Sequence, residues 1–420
     1  MKFPRIALKL RALNSRNYRL FFFGQGTSLI GTWINNVAAI WAVYHLTNSP
    51  LLLGVFGFLS QSPAVLAPLA GSYVDRHNQR QILLITQAVS MVQSFLLAVL
   101  ALTQSLNIVN LVILGFIQGL VNALDVPTRQ AFLPEMVDNK ADLDNAIALN
   151  ASLSGLSRSI GPAIAGTIIS SFGIGICFLI DGVSYIAVLA SLFQMNIQHE
   201  SFDYSTKAQF SQPELAAGFR YVFSSVPMLS ILCLLALVNF MGTPLIALVP
   251  IFAKEILGGN SHTFGYMMTT SAVGALIGAV YLSLRSSAIG LERLFGFCGA
   301  MLGVVLIVFS QSKVIWLSFV AVAFIGLFLI IENTASNTMI LSIADEDKRG
   351  RVMGIYTIAS DTLMLPLGNL FAGALAHFIG APSTMLIEGI FCIIGATIFW
   401  QYLPSIRQSL ANNSFLKAEG

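Results

Sequence analysis

Asp361 and Arg158 are ionisable residues set deep inside long apolar runs. At mid-membrane such a group costs roughly 2.5–3.5 kcal/mol on insertion scales, so it persists mainly where it is used or paired. Counted from the polar ends of their runs, Arg158 lies about 20 Å and Asp361 about 15 Å along a helix. A carboxylic acid at that depth can take up and release a proton as its access to water changes, which makes Asp361 the leading proton-carrier candidate. Arg158 is permanently charged and can hold two oxygens at once, so it could grip an anionic substrate or neutralise Asp361 after the proton leaves. A fixed ion pair is the competing use of both residues.

Four further acids recur in register. Asp125 and Glu332 fall near helix ends, where pairing with Arg80 on one side and Arg285 or Arg293 on the other would suit gating. Asp181 and Glu388 fall a turn or two inside the opposite surface and are expected to be wet, and His45 and His377 are expected at the surface. Cys177, Cys233, Cys298 and Cys392 each sit alone in an apolar run, which reads as small packing side chains. No phosphate-binding glycine loop, metal cluster or paired nucleophile and base stands out, so neither an enzyme, a metal, a cofactor nor a nucleic-acid partner is expected.

The elements that must position these residues are set by composition. Hydrophobic residues make up 56% and charged residues 10% of 420, too little polar surface for a water-soluble fold. Apolar stretches long enough to cross about 30 Å of hydrocarbon run near 18–46, 51–74, 81–103, 108–128, 145–172, 174–195, 226–253, 264–284, 291–311, 314–341, 352–378 and 382–403. The first is long and is followed by no small-residue cleavage site, so it is expected to remain as a helix. With both termini inside, every Lys and Arg falls on the inner side except Lys254, Lys313 and Arg158, the bias that sets membrane orientation.

The chain also repeats itself. Shifted by 207 positions, Gly161, Gly166, Gly173 and Gly182 meet Gly368, Gly373, Gly380 and Gly389, and Asp125 and Asp181 meet Glu332 and Glu388. Gly71 meets Gly278 and Gly119 meets Gly326 at the same offset, so the repeat is half the protein. The expected fold is all-α and polytopic, with twelve transmembrane helices in two pseudo-symmetric six-helix bundles. Residues 1–196 and 226–403 form the bundles, 197–225 a cytoplasmic linker with a short amphipathic helix, and 404–420 a polar tail. Matched halves in an apolar chain point to a transporter that rocks about a site at their junction.

Gly71-Ser72-Tyr73-Val74-Asp75-Arg76-His77-Asn78-Gln79-Arg80 resembles the signature loop of the major facilitator superfamily. The resemblance implies a gating latch of Gly71, Asp75, Arg76 and Arg80 with Asp125 and, in the second half, Glu332. A glycine here would let two helices approach closely. Asn78 and Gln79 depart from the usual pattern, and Leu282 stands where a second-half Asp would be.

The segments 16–21, 28–33 and 46–50, Pro127-Thr128-Arg129-Gln130-Ala131 and Arg349-Gly350-Arg351-Val352-Met353-Gly354 resemble the enterobactin-exporter-like branch, over almost the whole chain. Gly161, Pro162 and Gly166 resemble an antiporter motif, although Ser157 and Ala165 replace glycines and Gly115 stands where that class has an arginine. In the superfamily the first, fourth, seventh and tenth helices line the cavity, so the resemblance points to Gln25, Trp33, Asn36, Asn122, Asn239 and Asn333 as substrate contacts. It implies export of a siderophore or drug-like molecule by proton antiport, from a monomer in the inner membrane with both termini cytoplasmic. The alternatives are an importer or facilitator of the same fold and a non-transporting membrane protein acting through its linker.

Overall fold

The computed structural model describes residues 11–196, 212–285 and 290–416; the side chains it describes exclude those of 140, 212–217, 347, 361 and 410–416. The basic residues before Arg11, the linker 197–211, the Glu214 side chain and the last four residues of the tail lie outside what is described. Among the described residues the chain is helical without strands. Twelve long helices carry the fold: α1 (Arg16–Thr47), α2 (Pro50–Val74), α3 (Gln79–Leu102), α4 (Ile108–Met136), α5 (Leu143–Phe172), α6 (Ile174–Gln194), α7 (Val226–Ile256), α8 (Ser261–Ser283), α9 (Leu291–Gln311), α10 (Ile315–Ile343), α11 (Arg349–Ile379) and α12 (Ala381–Gln401). Ten are long and apolar enough to cross a membrane. The others, α1 and α5, have 32 and 30 residues and so reach about 45 Å, but they carry Gln25, Asn35, Asn36 and Arg158 among their apolar side chains.

The helix ends follow from local chemistry. Ser49, Asn78 and Asn107 each accept a hydrogen bond from the backbone N–H three residues on, at the starts of α2, α3 and α4, and Asn260 with Thr263 forms a capping box at α8. A single glycine joins α5 to α6 and another joins α11 to α12. Gly173 and Gly380 both have φ of 83°, a conformation side chains with a Cβ avoid, so the repeat seen in sequence recurs in backbone geometry. Three helices lose regularity beside prolines: α2 narrows to a 3-10 turn at Ser62–Leu66, and α7 and α11 widen to π turns at Phe252–Ile256 and Ile358–Thr362. Pro366 cannot donate to the carbonyl four residues back, which accounts for the irregularity just before it.

Packing repeats as well. In the first half α1 lies against α5 and α6, and α3 against α4 and α6; in the second, α7 lies against α11 and α12, and α9 against α10 and α12. The halves meet through α2 with α11 and α5 with α8, two pairings that exchange when the halves are exchanged. Hydrogen bonds from Ala12 to Asn145, from Tyr18 to the Ala146 carbonyl and from Arg80 to the Leu192 carbonyl gather the starts of α1, α3 and α5 and the end of α6 at one end of the bundle. Large apolar side chains such as Leu284, Trp316 and Phe378 are 77–81% exposed, as befits a surface solvated by lipid rather than water.

Candidate functional site

At the end away from the termini the halves are in backbone contact. Gly54 of α2 meets Gly373 of α11, and Gly166 of α5 meets Gly265 of α8. Polar contacts finish the seal: Tyr44 donates to the Glu255 carboxylate, Lys254 reaches Asn48 at 2.8 Å, Ser170 and His262 are 2.5 Å apart, and Trp41 stacks on Phe264. Nearer the termini the same interface helices are not so packed. A Cβ built on Gly71 of α2, Gly155 of α5 or Gly350 of α11 would meet nothing within 4 Å. The halves are closed at one end and spread towards the other.

Between them lies a cavity of about 840 Å³. Its walls carry an unusual density of carboxamides: Asn35, Asn36, Gln61, Gln93, Gln118, Asn122, Asn239, Asn333, Asn337 and Asn369, with Thr243, Thr334 and Tyr356. Arg158 is the one cation among the described lining residues, which include no carboxylate. Its guanidinium carbon stands 5.5 Å from the centre of the Trp33 ring, within cation–π range. The floor is apolar, from Val37, Leu53, Phe56, Leu97 and Leu111. Such a chamber can hold an amphipathic molecule rich in oxygen and favours a negative charge beside Arg158.

Trp33, Asn36, Asn122, Asn239 and Asn333 all line this chamber, as their positions on four helices suggest. Gln25 does not: it is 4% exposed, packed away from the cavity two turns from Trp33. The sequence reasoning passed over Asn337, Gln118 and Thr243, each four residues from a named lining residue and therefore on the same helix face. It also passed over Gln61 and Asn369, because α2 and α11 were not counted as walls. Gly161 packs on Trp33 and Gly166 on α8, so the antiporter-like motif fixes α5 between its two neighbours; α5 continues as a helix through Pro162.

The latch residues require corrections. Gly71 makes no close helix contact in this conformation. Arg80 does not pair with Asp125 but donates to the carbonyls of Leu192 and Phe193, tying α3 to the end of α6. Asp125 takes Arg129 one turn on at 2.7 Å, and Thr86 and Gln87 donate to its other oxygen. Asp75 and Arg76 lie in the turn closed by hydrogen bonds to the Gly71 and Tyr73 carbonyls. Glu332 meets neither Arg285 nor Arg293; both its oxygens are buried without a hydrogen-bond partner. Asp181 and Glu388 are not wet, at 1% and 0% exposed, because neighbouring helices cover them. His45 and His377 are exposed as expected. The backbone of Asp361 falls in the π turn of α11; its side chain lies outside the described residues.

This architecture meets its relatives here. The model of the transmembrane secretion effector family matches residues 9–417. The chain belongs to that family. It is 26% identical over 390 residues to the staphyloferrin A transporter of Staphylococcus aureus (strain NCTC 8325 / PS 47), covering 91% of this chain and 95% of that protein. It is 24% identical over 391 residues to macrolide efflux protein A of Streptococcus pyogenes, covering 90% and 95%. With the enterobactin exporter of Shigella boydii serotype 4 it shares 23% over 370 residues, covering 87% and 86%. Among solved structures, an inward-facing, unoccupied bacterial homolog of the human lysosomal transporter Spinster superposes with a TM-score of 0.72 at 12% identity, covering 94% and 97%. The fold is that of the major facilitator superfamily, and this member of the secretion effector family is a multi-pass membrane transporter of small molecules.

Proposed function

We propose that the chain exports an oxygen-rich, neutral to anionic small molecule, of the siderophore kind, across the inner membrane by proton antiport and alternating access. The observation that carries this reading is the cavity wall: many carboxamides, one arginine and no carboxylate among the described lining residues. A cationic cargo would find no counter-charge among the described lining residues. A cargo bearing carboxylates, hydroxyls or amides finds Arg158 and a ring of donors and acceptors. Two relatives named for siderophores, one a transporter and one an exporter, agree with that chemistry.

In this reading the segments 1–196 and 226–403 are the bodies that rock. The contacts Gly54 to Gly373 and Gly166 to Gly265 part when Gly71, Asp75, Arg76 and Arg80 close the opposite end. The linker 197–225 and tail 404–420 lie on the cytoplasmic side with both termini, and the unit is a monomer. Arg158 holds the anionic group of the cargo, and Asp361 carries a proton.

Purified protein in oriented vesicles with an imposed pH gradient tests the reading, with staphyloferrin A, enterobactin and a macrolide as probes. Gradient-driven accumulation of a siderophore, reduced in Arg158→Ala, is the expected result. Accumulation indifferent to the gradient removes antiport, and preference for the macrolide removes the assigned substrate class.

A further inference from the structure

The second half holds two acids that the transport reading does not use. Glu332 of α10 and Glu388 of α12 are each 0% exposed, and all four carboxyl oxygens are buried without a hydrogen-bond partner. Both lie along the seam where α12 meets α9. The Glu332 side chain points between α9 and α12, where a Cβ on Gly299 would lie 3.6 Å from its Oε1 and 3.7 Å from the Cβ of Ala396. Cys392, one turn beyond Glu388, lies near both acids, and Cys298 lies near Glu332. Beside Glu388 the helices touch, since a Cβ on Gly389 would fall 2.6 Å from the Gly303 carbonyl oxygen.

The first-half acids at the same positions have polar partners. Asp125 and Asp181 occupy the equivalent places. Asp125 has Arg129, Thr86 and Gln87; Asp181 accepts from Asn35 at 2.5 Å and Ser94 at 2.6 Å. Shifted by 207 positions, Gln87, Ser94, Asn35 and Arg129 become Leu294, Met301, Gly242 and Ser336, and Thr86 becomes Arg293, whose side chain is exposed. The acids recur at this offset, and their partners do not. A carboxylate left alone in such a place is an uncompensated buried charge; a carboxylic acid is not.

We propose that Glu332 and Glu388 form a protonation site of the transport cycle, distinct from Asp361, that holds its protons in the conformation seen and releases them to cavity water when α9, α10 and α12 shift. The proposal rests on the transporter reading but not on its cargo. The route is short. Asn333, the next residue after Glu332, lines the cavity, and its carbonyl accepts from the Tyr356 hydroxyl of α11 at 2.7 Å. Ser336, one turn beyond Glu332, is buried 3.3 Å from the same hydroxyl. A shift of α10 against α11 breaks these contacts to Tyr356 and opens a way from Glu332 towards the cavity. The titratable groups near the pair among the described residues are Cys298 from α9, Cys392 from α12 and Tyr356 from α11; α7 contributes Leu234.

Two measurements on full-length protein in nanodiscs test this without any cargo. Infrared difference spectra between about pH 5 and about pH 9 should show protonated-acid carbonyl bands that shift in deuterated buffer and disappear in Glu332→Gln/Glu388→Gln. Absence of those bands from the native protein at neutral pH overturns the proposal. Spin labels on Gln130, in the last turns of α4, and Glu346, in the turn after α10, should report a separation that changes with pH in the native protein. In the double Gln variant it should stay at its low-pH value. An unchanged pH response in that variant also overturns the proposal, and Glu332→Leu, which fills the pocket with apolar volume, serves should Gln misfold. In Asp361→Asn the infrared bands should remain, so gradient-driven transport retained there with the bands intact counts against Asp361 as proton carrier alone.

Discussion

Gly265 of α8 lies so close to α5 that a Cβ on it would sit 2.8 Å from the Cα of Gly166 and 2.6 Å from the Pro162 carbonyl oxygen. The mirror contact on the other side of the interface joins Gly54 to Gly373, where a Cβ on Gly373 would be 2.6 Å from the Gly54 Cα. Two backbone contacts related by exchange of the halves seal the closed end on both sides. Flexible side chains cannot yield there, because the atoms in the way are backbone. Gly166→Val and Gly373→Val should therefore force the halves apart at this end, at about 1–3 kcal/mol of overpacking. A membrane-impermeant thiol reagent acting on Ser170→Cys should react several-fold faster in either background; an unchanged rate would show that the end is not held by these glycines.

The polar ties at that end should matter less. Tyr44 to Glu255 and Lys254 to Asn48 lie at the rim, where Glu255 and Asn48 are exposed, and exposed charged contacts contribute about 1 kcal/mol or less. Tyr44→Phe should raise the opening of this end about five-fold, against a much larger change for the glycine variants. The labelling assay on Ser170→Cys reads both. A larger effect from Tyr44→Phe than from Gly166→Val would reverse the ranking of backbone over side chain.

Much of this was legible in the sequence, and the failures share a cause. Apolar run length gave the twelve helices, and the 207-residue offset foretold paired features such as Gly173 and Gly380, because both depend on chain-local properties. Depth was misjudged for Asp181 and Glu388. Counting turns from the helix end placed them near water, but Asn35 and Ser94 cover Asp181 from the side, and sideways cover is a property of packing. Asp125 was assigned a distant arginine although Arg129 stood four residues away on its own helix, where i and i+4 meet. Gln25 lies eleven residues from Asn36, close to the same face of α1 but about 16 Å further along the helix and outside the chamber, and helix membership alone could not separate them.

Asp125 offers a stability test of that correction. Its carboxylate is 3% exposed and held by Arg129, Thr86 and Gln87. Arg129→Ala should lower stability by about 3 kcal/mol, since it strands a buried charge. Asp125→Asn in the same background should recover most of the loss by removing the charge. Thermal unfolding in detergent measures both, and Arg80→Ala should leave the Asp125 site untouched. Equal destabilisation in the single and double variants would mean that Arg129 acts by packing and not by charge.

Acid sensitivity in the loop between α10 and α11 has a different sign from anything near neutrality. A hydrogen bond from Lys348 and then one with Tyr221 hold the Asp345 carboxyl below its ordinary value. Lys348 also sits 4.4 Å over the Tyr221 ring, tying the helix Gln212–Ser224 to this turn. A depressed carboxyl contributes above its unfolded value of about 3.9 and loses that contribution as pH falls through the folded value. Docking of that helix should be constant across neutral pH and loosen only in strong acid. Hydrogen exchange over 218–224 checks this; loosening between about pH 6 and about pH 8 would point to another titrating group.

Arg158 and Trp33 give the cavity its own reporter. The guanidinium lies 5.5 Å from the indole centre and faces the chamber, so an anion that takes hold of the arginine changes the environment of the ring. Trp33 fluorescence should respond to staphyloferrin A with a saturable change. Arg158→Lys keeps the charge but loses the planar fork, and should weaken binding about ten-fold; Arg158→Ala should weaken it further. The symmetric position is Leu365, also in the wall, so the second half supplies no replacement cation there. If Lys and Ala weaken binding equally, charge is not what the cavity contributes; if neither does, the arginine serves only to brace Trp33 against α5.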